Sequence, residues 1–89
     1  MDRREQWRKV LQPEVRRWLD MPYELLVSAL QDEQVYEVEF DSKKYQVEVE
    51  ILENTDQYLH IMVAVDDGSL PASMAPATDT FIRQKKPTV

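Results

Sequence analysis

Residues 35–65 contain three segments in which apolar and polar residues alternate along the chain. Because successive side chains of a β-strand point to opposite faces of a sheet, this alternation predicts strands with one buried and one exposed face. The apolar positions predicted to share the buried face are Val38, Phe40, Tyr45, Val47, Val49, Ile51, Leu59, Ile61, Val63 and Val65. The opposite face then carries mostly glutamates, together with a histidine.

The N-terminal segment has helical periodicity instead. Its apolar stripe, with spacings of four, four and three residues, consists of Trp7, Leu11, Val15 and Trp18. Pro13 interrupts the segment, since proline removes a backbone hydrogen bond and clashes with the preceding turn. We expect either a kinked helix or a break near Gln12. The stripe stays in phase across the proline, which favours the kink. A second helix is predicted from Pro22, with Leu26 and Leu30 on its buried face.

The strand pairings can be predicted from the same pattern. A two-residue turn at Ser42-Lys43, or a four-residue loop with the same pairing, sets three apolar pairs opposite each other: Phe40 with Tyr45, Val38 with Val47, and Tyr36 with Val49. For the next hairpin, a five-residue loop over 53–57 or a bulge pairs Ile51 with Leu59 and Val49 with Ile61. A slip of one residue would expose three large aliphatic side chains, at about 1.5–3 kcal/mol each.

A short fourth strand is predicted over residues 78–83, which are β-branched and aromatic in character; its pairing partner is left open. The sequence thus predicts an α+β fold, with N-terminal helices packed on one face of a three- to four-stranded antiparallel meander sheet. We expect one domain over residues 1–84, helical over 2–31 and sheet over 35–84. The tail 85–89 is expected to be disordered.

Composition narrows the functional classes. The chain has 89 residues and lacks cysteine, which excludes disulfides, thiolate metal sites and cysteine nucleophiles. No apolar run approaches the ~20 residues of a membrane span, and no hydrophobic signal core follows the N-terminus, so we expect a soluble cytoplasmic domain. The single glycine cannot build the usual phosphate-binding loops, and no cofactor is expected.

The net charge of −6 is unevenly distributed: residues 1–19 carry +3, residues 20–67 carry −11, and residues 68–89 carry +2. The basic N-terminal segment raises the alternative of nucleic-acid binding through its arginines. We do not favour it, because the pI of about 4.7 indicates repulsion of phosphates. The two tryptophans also belong to the buried stripe and are not placed to stack on bases.

The predicted register sets Glu50 opposite His60, Glu48 opposite Met62, and Glu37 opposite Glu48. A carboxylate beside an imidazole is the minimum for acid–base catalysis, so a small enzyme or ligand binder using Glu50 and His60 is one alternative. No nucleophile, oxyanion hole or cleft accompanies the pair, and we expect no enzyme. The lone histidine and the absence of a metal-ligand spacing predict no metal site.

The favoured interpretation is a non-enzymatic protein-interaction or regulatory domain. Crowded like charges on a sheet face are unfavourable for folding. They would be relieved by a basic protein partner, by the protein's own Arg-rich N-terminal helix if it folded over that face, or by the helix of a second copy of the chain. The competing interpretation is a solvated face kept charged to resist aggregation. The candidate partner-binding residues are Glu37, Glu39, Glu48, Glu50, Tyr58, His60 and Met62. The edge of the sheet is a second candidate site.

Overall fold

The structure, a computed structural model, describes residues 3–68 and 76–85. The predicted tail therefore lies outside the described residues except for Lys85. The elements are α1 (Arg3–Leu19), α2 (Tyr23–Ala29), β1 (Gln34–Phe40), β2 (Lys43–Asn54), β3 (Tyr58–Asp66) and β4 (Ala77–Gln84). The four strands form one antiparallel sheet in the order β1-β2-β3-β4. The predicted α+β meander is confirmed, and the fourth strand pairs with β3.

Helix α1 runs as one element through Pro13, so the break near Gln12 does not occur. Its apolar stripe is buried as predicted: Trp7, Leu11 and Trp18 are each less than 5% exposed. Packing of this stripe on the sheet outweighs the loss of one helical hydrogen bond to proline. Helix α2 begins directly after Pro22, whose carbonyl accepts the Leu26 amide at 2.9 Å.

The core lies between the helices and one face of the sheet. Helix α1 packs on β3 and β4, and Leu26 of α2 and Leu30, which directly follows α2, join the same core. The apolar positions predicted to face inward are all buried in this core or packed against it. Ile61, at the middle of β3, has no exposed surface. The helices therefore cover one sheet face, which we call the inner face.

The predicted register of the first hairpin is wrong by two residues. The turn occupies Asp41 and Ser42, and Phe40 pairs with Lys43, which shifts Val38 to Tyr45 and Tyr36 to Val47. The two turn residues have φ of 53° and 62°. Positive φ at both central positions defines the tight turn whose twist matches a hairpin, and aspartate adopts this conformation more readily than most residues. An even shift leaves every side chain on its predicted face.

The second hairpin is also displaced by two residues from its prediction. Ile51 pairs with Ile61 and Val49 with Val63, and a bulge at Leu52 then separates this ladder from the pair Asn54–Leu59. The sequence predicted either a five-residue loop or a bulge in this hairpin. The bulge is present and the five-residue loop is not. The turn closes more tightly because the Thr55 hydroxyl accepts the amides of residues 57 and 58, at 3.1 and 3.0 Å.

Two polar contacts fasten the helices to the edges of the sheet. The Trp18 indole N–H donates to the Tyr36 hydroxyl at 2.8 Å, and that hydroxyl donates to the Glu14 carboxylate. Burial, reinforced by the Glu14 contact, raises the pKa of Tyr36 to about 12. At the other edge, Arg83 of β4 donates from Nη1 to the carbonyls of Leu19 and Met21, at 2.8 and 2.9 Å. These carbonyls lie where α1 ends, so Arg83 holds the junction between the helices.

Candidate partner-binding surface

The sheet face opposite the helices, which we call the outer face, holds every candidate residue predicted from the sequence. The strand registers place Glu37 and Glu39 on β1, Glu48 and Glu50 on β2, and Tyr58, His60 and Met62 on β3. Because alternate residues of paired strands share a face, all seven lie on one surface. The acidic residues concentrate on β1 and β2, whereas the outward positions of β4 are Thr78, Thr80, Ile82 and Gln84.

The predicted cross-strand pairs on this face do not form. Glu50 lies opposite Met62, Glu48 opposite Ala64, and Glu37 opposite Gln46. The two-residue displacement of both hairpins moved each glutamate one step along its own face. The Glu50–His60 pair on which the enzymatic alternative depended is therefore absent, and so is the direct opposition of Glu37 and Glu48.

His60 instead meets Glu53, a residue that sequence reasoning missed. Its Nδ1 lies 3.8 Å from Glu53 Oε1, and the Tyr58 hydroxyl donates to the same oxygen at 3.2 Å. The negative charge of Glu53 raises the pKa of Tyr58. The bulge at Leu52 brings Glu53 onto the outer face, since strict alternation would have placed it on the inner face. Only knowledge of the bulge could have identified this cluster.

Glu48 is the centre of the acidic part of the outer face. Partial burial raises its pKa, and the negative charges of Glu33, Asp66 and Glu50 raise it further. Val35 and Ala64 lie on either side of it across the strands, and Ala64 is only 4% exposed. Glu48 therefore holds a charge that has lost part of its hydration and is repelled by its neighbours, so its ionised form is disfavoured in the folded state.

Replacing Glu48 with Gln should therefore stabilise the protein at neutral pH. A carboxyl whose pKa is raised on folding destabilises the folded state once pH rises through that pKa, and the amide removes this cost. We expect thermal unfolding at pH 7 to occur about 1–4 °C higher, from a few tenths of a kcal/mol. The difference from the parent should shrink as pH falls through the raised pKa of Glu48 and disappear below the ordinary glutamate pKa of 4.5.

Glu39→Gln is the matched control for that comparison, because Glu39 lies on the same face opposite Lys44. Removing this charge should leave the unfolding temperature unchanged or slightly lower. An equal gain from both substitutions would show that net charge alone, and no local repulsion at Glu48, sets the effect.

Apolar side chains complete the outer face. Ile82 is 52% exposed, Val35 is 49% exposed, and Leu52 at the bulge is 46% exposed. Ile82 lies opposite His60 and diagonal to Met62, which places an apolar area on β3 and β4 beside the acidic area on β1 and β2. Sequence reasoning missed Ile82, because the pairing and orientation of β4 were left open.

Two grooves involve the helical layer. One groove, between the end of α2 and β2, is lined by Val27, Leu30, Gln31, Glu33, Glu50, Ile51 and Asn54. A second, at the start of α2, is lined by Pro22, Tyr23, Glu24, Arg83 and Gln84. Within residues 3–68 and 76–85, no group of three or more histidine or acidic side chains is arranged to hold a metal ion.

Membrane insertion through a helix has no support in the described part of the chain, where neither helix is long and apolar enough to cross a bilayer. The outer face is thus the surface with the most distinctive chemistry: an acidic area beside exposed apolar side chains.

Comparison of the chain with protein-family models, with curated proteins and with solved structures gave no significant match.

Proposed function

We propose that this chain is a non-enzymatic protein-interaction module that binds a basic segment of a partner protein on its outer face. The observation that carries the proposal is the composition of that face, which no described element covers. Acidic residues crowd around Glu48 there, next to exposed apolar side chains. An interface of this kind gains specificity from complementary charge and contact area from its apolar part.

Charge complementarity identifies the occupant. Lysine or arginine side chains of a partner would replace repulsion among Glu33, Glu48 and Glu50 with attraction, and Glu48 would gain most because it is partly buried. Apolar residues of the same segment would cover Met62 and Ile82. The resulting affinity should fall with salt, because the exposed members of the acidic area are screened at about 8–10 Å in physiological buffers.

The protein's own basic helix does not relieve the acidic area. Helix α1 packs on β3 and β4 within the core, and the core lies on the inner face. Its exposed bases, among them Arg8, Lys9 and Arg16, therefore face solvent on the far side of the sheet. Among the described residues, the bases of α1 therefore do not offset the negative charge of the acidic area.

A defined peptide tests the proposal. We would titrate the 15N-labelled protein with a peptide of lysines and leucines and, separately, with the same peptide carrying glutamate for lysine. Saturable amide shifts centred on Glu48, Glu50 and Met62 are expected with the basic peptide alone. A double variant Glu48→Lys/Glu50→Lys should weaken binding at least about tenfold, or 1.4 kcal/mol.

The matched control is Asp20→Lys/Glu24→Lys, which makes the same change of net charge at exposed positions of the helical layer. This variant should keep most of the affinity. Equal weakening by both double variants would mean that overall charge attracts the peptide, and shifts spread evenly over the surface would mean the same. Either result would remove the outer face as a specific site.

A further inference from the structure

Strand β4 forms one edge of the sheet, and its open side has features that favour pairing with a further strand. It spans eight residues, Ala77–Gln84, without proline, glycine or a bulge. Among the described residues, only β3 pairs with it. Natural proteins usually protect such edges with prolines, bulges or inward-pointing charges. Strand β4 lacks prolines and bulges, and its two charged residues, Asp79 and Arg83, lie at inward positions and are of opposite sign.

The backbone groups that face the open edge can be assigned. The Lys85 amide donates to the Gln57 carbonyl at 2.9 Å, so odd-numbered residues along β4 make the hydrogen bonds to β3. The Thr80 amide donates instead to the Asp79 carboxylate at 2.8 Å, so it points away from β3. Residues 78, 80, 82 and 84 therefore direct their amides and carbonyls to the open edge.

This assignment restricts antiparallel pairing with a second β4. An even-numbered residue of one copy must lie opposite an even-numbered residue of the other, because only these direct their amides and carbonyls to the open edge. The two-fold axis of the pair therefore passes through a residue and not between two residues. With the axis at Phe81, Asp79 of each copy lies opposite Arg83 of the other, and Thr80 lies opposite Ile82. With the axis at Thr80, Asp79 faces Phe81 and neither charge has an opposite partner. The first register is thus self-complementary in charge.

We infer that β4 is a self-association edge, through which two copies of this chain pair antiparallel about Phe81 to form one eight-stranded sheet. The pairing gives Ile82, which is 52% exposed, contacts with Thr80 and Ile82 of the second copy. The Thr80 amide exchanges its bond to Asp79 for a carbonyl of the second strand. Asp79 is thereby released to meet the opposing arginine.

Arg83 is able to serve both roles. Its Nη1 atom holds the carbonyls of Leu19 and Met21, and a guanidinium has further N–H donors on its other nitrogens. Within residues 3–68 and 76–85, no carboxylate forms an ion pair with it. The inference does not rest on the proposed function, because the acidic area lies on β1 and β2, away from this edge.

Single cysteines test the register directly, because the parent chain has none. Paired residues that exchange backbone hydrogen bonds have Cα atoms about 5.5 Å apart, within disulfide range. Thr80→Cys and Ile82→Cys, one of them 15N-labelled, would be mixed in equal amounts under mild oxidation. Mass spectrometry should show mainly the mixed disulfide. Predominance of either homodimer would overturn the register, since Thr80 meets itself only in pairing about Thr80.

Light scattering of the parent protein tests the association itself. We expect twice the chain mass at high concentration, returning to the monomer mass in Asp79→Lys, where lysine faces arginine in both halves of the ladder. Asp56→Lys, at an exposed loop position, makes the same charge change and should remain dimeric. A parent that stays monomeric at millimolar concentration, or equal dissociation of both variants, would overturn the inference.

Discussion

Replacement of Ile61 by Ala is expected to lower the free energy of unfolding by about 2–5 kcal/mol. Ile61 has no exposed surface and lies in the middle of β3, with Ile51 opposite it on β2 and Phe81 opposite it on β4. Truncation removes buried apolar area at a point enclosed by two strands and a helical layer, where the surroundings have little freedom to collapse into the cavity. Urea unfolding followed by the fluorescence of Trp7 and Trp18, both buried, measures the loss.

The expected loss is a large share of the total. A chain of 89 residues has about 4–13 kcal/mol of stability, by the usual 0.05–0.15 kcal/mol per residue. Leu25→Ala is the control, because Leu25 is 60% exposed and its truncation should cost no more than about 0.5 kcal/mol. Comparable losses at the two positions would contradict the placement of the core between the helices and the inner face.

Replacement of Arg83 by Ala has the second largest expected effect, a loss of about 1.5–3 kcal/mol. The substitution removes the charged donor that the Leu19 and Met21 carbonyls share at the end of α1. A positive charge near a helix C-terminus also interacts favourably with the helix dipole, so both contributions disappear together. The same urea titration measures the effect.

Arg83→Lys distinguishes these two contributions. Lysine keeps the positive charge but presents it as a flexible point instead of a fixed planar group, so it should restore only part of the stability. Arg8→Ala, at an exposed position of α1, should be nearly neutral. If Arg83→Ala were equally neutral, the contacts between Arg83 and the helix junction would contribute nothing to stability.

The faces of the sheet could be predicted from the sequence, but the strand pairings could not. An apolar pattern of period two distinguishes a shift of one residue from no shift, because an odd shift exposes the core. It does not distinguish a shift of two, which keeps Val38 and Val47 on the inner face while giving each a different partner. The backbone conformation of the turn at Asp41 and Ser42 decides between these registers. The sequence has no Asn-Gly or Asp-Gly pair there that would have predicted this turn.

The candidate surface was predictable to the same extent. All seven residues proposed from alternation share the outer face, yet their predicted pairs are wrong and the partner of His60 is Glu53. A bulge depends on how a strand meets its neighbour, so its position at Leu52 was not evident in one strand's own pattern. The role of Arg83 depends on contacts 62 and 64 residues away in the chain, a separation beyond any local signal.

The order of elements along the chain has a consequence for how the protein is made. Helix α1 is synthesised before the strands it packs on, β3 and β4, which end at residues 66 and 84. Its apolar stripe, including Trp7 and Trp18, therefore lacks β3 and β4, the strands it packs on, until nearly all the described chain has been synthesised. At about 5–20 residues per second, that interval lasts several seconds. We therefore expect the apolar stripe of nascent α1 to remain exposed longer than the later strands, which find neighbours within one hairpin.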